Sequence, residues 1–95
     1  MEYRLVKVIW RDIQGHDGAW VDCDDILDDY EPVTVYTVGW ILKEDDEFLT
    51  IVSSLSADQT FAGNVNAIPR GCVQSVFLIT LSGLSDVHTE KSESL

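Results

Sequence analysis

Two runs of carboxylates dominate the chemistry this sequence offers. Asp22-Cys23-Asp24-Asp25-Ile26-Leu27-Asp28-Asp29-Tyr30-Glu31 places six acids in ten residues, and Glu44-Asp45-Asp46-Glu47 places four in a row. Grouped carboxylates hold divalent cations or face basic surfaces. A calcium loop beginning at Asp22 needs an oxygen ligand at its fifth position and a glycine at its sixth. The chain puts Ile26 and Leu27 there, so that pattern fails. The first run then reads as the solvated face of a helix, with Asp22, Asp24, Asp25, Asp28 and Asp29 as candidate contacts for a partner. The second reads as a hairpin tip, where Glu44, Asp45, Asp46 and Glu47 would also discourage edge-to-edge pairing of strands. A partner with a basic surface could use both clusters, which hold ten of the 17 acids.

Nucleophilic and metal chemistry find little footing. His16 lies in a glycine loop and His88 near the end of the chain, so neither is held as a general base. Cys23 stands among acids with no base beside it, and Cys72 has only Arg70 nearby in sequence. No G-x-S-x-G, phosphate-cradling glycine loop or metal-type Cys/His spacing occurs. The expectation is a non-enzymatic protein with no catalytic residue, no metal and no cofactor.

The aromatics and the few bases say more. Trp10, Trp40 and Phe77 are expected in the core, whereas Trp20 and Tyr30 flank the helix, where a half-exposed ring anchors an interface or stacks on a ligand. Arg11 and Arg70 are the basic candidates for an anionic ligand, although pairing of Arg70 with the acidic helix is the favoured reading.

These residues need elements to position them. Tyr3–Ile13 alternates as a strand, with Val6, Val8 and Trp10 on one face, and ends in a glycine loop after which Trp20 and Val21 return to the core. Asp22–Tyr30 is the one helix: Asp22 is its N-cap, Asp24 and Asp25 favour its positive end, and Ile26, Leu27 and Tyr30 form one apolar stripe. Pro32 stops it, and Asp28 and Asp29 oppose its dipole, so two turns are expected. Val33–Leu42 is the strongest strand, apolar on both faces, with Gly39 marking a central position or a barrel corner. Lys43–Glu47 is a charged hairpin loop and Phe48–Leu55 its partner strand. Phe61–Ile68 is a weaker strand, softened by Gly63, Asn64 and Asn66. Pro69-Arg70-Gly71 is a tight turn in which Gly71 permits positive φ, and Cys72–Leu81 is the last strand.

Five strands and one short helix after the first predict a mostly β fold: a small antiparallel five-stranded SH3-like or Sm-like barrel, or else a rolled sheet packed by the helix. Residues 1–81 form the domain and 82–95 a flexible tail. An apolar fraction of 45% excludes a wholly disordered chain despite a net charge of −11. That charge also argues against binding nucleic-acid backbones directly. The longest uncharged stretch, Gly71–Ser85, is too short and too polar for a membrane-spanning helix. The N-terminus is interrupted by charges at Glu2, Arg4 and Lys7, unlike a secretory signal, and two isolated cysteines read as reduced thiols, so a cytoplasm is expected.

The segments Val8-Ile9-Trp10-Arg11-Asp12, Trp20-Val21-Asp22, Pro32-Val33-Thr34 with Thr37-Val38-Gly39-Trp40-Ile41, and Ala67-Ile68-Pro69-Arg70-Gly71-Cys72-Val73 together resemble a group of small tailed-bacteriophage accessory proteins. The likeness covers roughly residues 6–79. It implies a phage gene product made in the cytoplasm of a bacterial host, and it carries over no catalytic residue. The leading expectation is an accessory protein that binds a host or anti-phage-defence component through an acidic and aromatic surface, as inhibitor or decoy. One alternative is an oligomeric sponge for a signalling nucleotide, which needs Arg11 and Arg70 to converge beside Trp20. The other is a minor structural or morphogenetic component, which needs an open strand edge or a large apolar patch.

Overall fold

The structure, a computed structural model, describes residues 3–15, 20–27, 30–80 and 82–87. Its elements run β1 (Leu5–Asp12), α1 (Cys23–Leu27), β2 (Val33–Glu44), β3 (Phe48–Leu55), β4 (Ala62–Pro69), a 3₁₀ turn (Arg70–Cys72) and β5 (Val73–Leu78). The five strands form one antiparallel sheet in the order β4-β3-β2-β1-β5. The expected mostly β class holds. The sheet rolls without closing, because β4 and β5 remain its two unbonded edges although only three residues join them.

The roll turns on β2. Its first half pairs with β1 (Val8↔Thr37, Val6↔Gly39) and its second half with β3 (Ile41↔Ile51). At Gly39 the two neighbours come so close that a methyl group would overlap the Val52 carbonyl oxygen and lie 2.7 Å from Ile51 Cγ2. Only glycine permits that approach, which makes Gly39 the corner the sequence suggested. A register shift follows between Ile41 and Lys43 and sharpens the bend.

The core lies inside the roll. Val6, Val8, Ile41, Leu49, Ile51 and Ile68 form one buried cluster, with Trp10, Cys72 and Val73 packed against it. Val52, on the other face of β3, is also buried. Burying each such aliphatic chain contributes about 1.5–3 kcal/mol. Trp10 is anchored further by its indole N–H, which donates to Thr37 Oγ1 at 2.9 Å.

Several expectations need correcting. Trp20 does not return to the core; it is fully exposed. Of the expected helix Asp22–Tyr30 the structure describes Cys23–Leu27 as helical, Asp28 and Asp29 lying outside the described residues, and none of those five residues is buried against the sheet. Leu27 is 77% exposed and Ile26 38%, so this segment gains little from packing. β1 stops at Asp12, whose carboxylate accepts the Ile13 N–H at 2.8 Å and turns the chain away, leaving Ile13 exposed. Gly71 sits in the 3₁₀ turn without positive φ; among the described residues the left-handed ones are Gln59, Asn64 and Gly83. β5 is six residues long, and Leu81 lies outside the described residues. Phe77 is an exposed ring and Trp40 only half-buried, because both sit on the outer face of the roll.

Candidate functional site

The two acidic clusters sit at opposite ends of β2: α1 precedes its first residue and the hairpin to β3 follows its last. A twelve-residue strand separates them along the chain.

Within each cluster some acids have structural tasks. Asp22 caps α1, its Oδ1 accepting the Asp24 N–H at 3.0 Å and its carbonyl the Asp25 N–H at 3.0 Å. Asp24 and Asp25 remain exposed in the first turn. Asp28 and Asp29 lie outside the described residues, as do His16 and His88. At the hairpin, β2 runs on to Glu44, so the acid run is part strand and part turn. Asp45 Oδ1 accepts the backbone N–H groups of both Glu47 and Phe48 at 2.8 Å. Those bonds, Phe48 foremost, hold the Asp45 carboxyl below its ordinary pKa, with help from the Lys43 ammonium 3.7 Å away. Asp46 and Glu47 are exposed.

The described bases are each engaged within the chain. Glu44 takes both Arg4 and Arg70, the latter at 3.6 Å, so among the described residues Arg70 pairs with the acidic hairpin. Arg11 donates to the Pro32 carbonyl at 3.0 Å. Lys7 places its ammonium 4.9 Å from the centre of the Tyr36 ring. Arg11 and Arg70 share no partner among the described residues, and fully exposed Trp20 is bonded to neither.

The sheet's outer face was not foreseen as a site. Across β2-β1-β5, Val38, Lys7 and Phe77 stand in one row, and Tyr36, Ile9 and Ser75 in the next. Tyr36 is 67% exposed, Phe77 53% and Val38 51%. Trp40 and Leu5, half-buried, extend the band toward the N-terminal end of β1. The sequence signal was the second apolar face of β2. It reads equally well as a covered face; the structure leaves Tyr36, Val38 and Phe77 exposed on it, whereas Val52, opposite Trp40, is buried.

Cys23 is an exposed free thiol and Cys72 a half-buried one. Among the described residues, no group of three or more His, Cys, Asp or Glu side chains is placed to hold a metal, and no helix is long and apolar enough to cross a membrane. Fold and surface together define a small, mostly β module built on one rolled sheet with exposed apolar residues on its outer face. No protein-family model, curated protein or solved structure matches the chain.

Proposed function

We propose that this chain is a non-enzymatic recognition module that binds a protein partner through the outer face of its sheet. The observation that carries the reading is the exposed band of Tyr36 and Val38 on β2 and Phe77 on β5, on either side of β1. Tyrosine and phenylalanine on a rigid sheet lose little side-chain entropy on docking and supply large apolar area, as interface anchors do. The partner carries an apolar patch bordered by basic groups, because the chain's net charge of −11 steers cations toward it. Asp24 and Asp25 at α1, or Asp46 and Glu47 at the hairpin, supply rim charge. The engagement of every described base within the chain favours a protein partner over an anionic nucleotide.

The setting is a bacteriophage accessory protein acting in the host cytoplasm on a host or defence component, supported by the motif likeness in residues 6–79. The test is affinity capture from bacterial lysate with the unaltered chain, Tyr36→Ala, and Asp24→Asn/Asp25→Asn. A partner with a basic surface should be retained, with at least tenfold less recovered by Tyr36→Ala, as loss of an anchor worth about 1.4 kcal/mol or more requires. No specific partner, or one held equally by all three proteins, refutes the reading. The open β5 edge favours a second reading, a minor structural component of a particle, which mass spectrometry of purified particles tests.

A further inference from the structure

Strand β5 ends the sheet, and among the described residues nothing pairs with its outer side. The direction of its free backbone groups can be read from one bond. The Ile79 N–H donates to the Leu5 carbonyl at 2.9 Å. By the alternation of an antiparallel ladder, Phe77 and Ser75 also face β1, while Val76 and Leu78, opposite Val8 and Val6, aim their N–H and C=O groups at the open edge. The Val76 and Leu78 side chains, 42% and 63% exposed, extend the same face that carries the buried Val8 and Val6.

Natural sheets usually blunt such an edge with charge, proline or a bulge. β5 has neither charge nor proline, and it lies within Gly71–Ser85, the longest uncharged stretch of a chain with net charge −11. Its one register shift falls at the start, between Ile9 and Trp10 on β1, away from Val76 and Leu78. The other edge, β4, is neutral too but is blunted: Gly63 and Asn64 interrupt it, Asn64 with φ 56°, and Pro69 ends it.

We propose that the chain forms a two-fold homodimer in which β5 pairs antiparallel with β5 of a second copy, continuing the sheet across the axis. A second copy is the occupant this charge distribution selects. The clustered acids repel another copy of so acidic a chain, whereas the two-fold sets the neutral edge against itself with no like charges across the ladder. It also brings Val76 and Leu78 of each copy together, enlarging a core of few residues. A blunted β4 offers no matching edge for head-to-tail growth, so assembly closes at two. The proposal does not depend on the outer-face reading: Tyr36→Ala leaves the dimer intact.

Sedimentation equilibrium of the full chain, from about 1 to about 200 µM, should take the mass from 10.7 kDa toward twice that value. Hydrogen exchange of the unaltered chain supplies a second readout. The Val76 and Leu78 amides gain protection as concentration rises, while those of Phe77 and Ser75 are protected throughout. Val76→Lys should weaken association at least tenfold, and Val65→Lys, a similarly exposed position on β4, should leave it unchanged. A monomer at the highest concentration, concentration-independent exchange at Val76 and Leu78, or open-ended growth overturns the proposal.

Discussion

Asp45 and Asp58 do locally what a longer loop would do with backbone. Asp45 gathers two N–H groups into the β2–β3 turn. In the β3–β4 turn, Asp58 accepts the Ser56 hydroxyl at 2.8 Å and the Thr60 N–H at 3.0 Å. The Ser56 hydroxyl is the main cause of the lowered Asp58 pKa, as the Phe48 N–H is for Asp45. Because the folded state favours the ionised form, each contributes stability that is complete above the unfolded carboxyl value, near pH 4, and disappears as pH falls through the depressed folded values. Asp45→Asn/Asp58→Asn should therefore melt below the unaltered protein at neutral pH, with the gap closing in acid. A gap that persists to about pH 2 contradicts the assignment. Gly39 is the other decisive residue. Gly39→Ala must displace the Val52 carbonyl, which is backbone and cannot rotate away. The expected loss is about 3 kcal/mol, the upper end for overpacking; a melting temperature within a degree of wild type rules out the tight corner. This residue was legible in advance, because a lone glycine in a strand apolar on both faces has few other uses.

Elements were legible where alternation and turn residues agreed. Phe48–Leu55 has the bounds its pattern suggested, and β1, β2 and β4 differ from theirs by a few residues at most. The choice of face was not legible. On β2, Val35, Gly39 and Ile41 alternate with Tyr36, Val38 and Trp40, and periodicity alone cannot say which set the roll encloses. Gly39 could have decided it, since the close approach of β3 must fall on the enclosed side. The packing of the helix was less legible: Ile26 and Leu27 fit a stripe, but both are exposed, so the described part of α1 places little apolar area against the sheet. α1 is therefore expected to add little to the cooperative unit. Asp22→Ala removes a cap worth about 1 kcal/mol and should abolish the turn without shifting the cooperative melt. Leu49→Ala, inside the roll, should cost about 2–5 kcal/mol. Calorimetry of both variants checks the contrast, and a matching loss in each places α1 within the cooperative unit after all.

For the molecule as a whole, charge opposes compaction. Two unit charges 20 Å apart in water repel by about 0.2 kcal/mol, and the pairs formed by eleven uncompensated charges amount to something on the order of 10 kcal/mol before screening. Part of that is relieved on unfolding, when the charges separate. Against it stand the exposed ion pairs of Glu44 with Arg4 and Arg70 and of Asp45 with Lys43, which contribute about 0–1 kcal/mol each. Salt screens both, and the repulsion is the larger. Raising salt from about 0.05 to about 0.5 M shortens the screening length from roughly 14 to roughly 4 Å, which nearly removes repulsion at 20 Å. The melting temperature should rise across that range, and association of β5 edges should strengthen with it, because a dimer gathers the acids of two copies around a neutral seam. Binding of a basic partner has the opposite dependence, since salt screens the attraction that steers it in. Measured side by side on one preparation, the two salt slopes should differ in sign. If self-association weakens with salt in parallel with partner binding, then charge attraction joins the copies and the neutral edge does not.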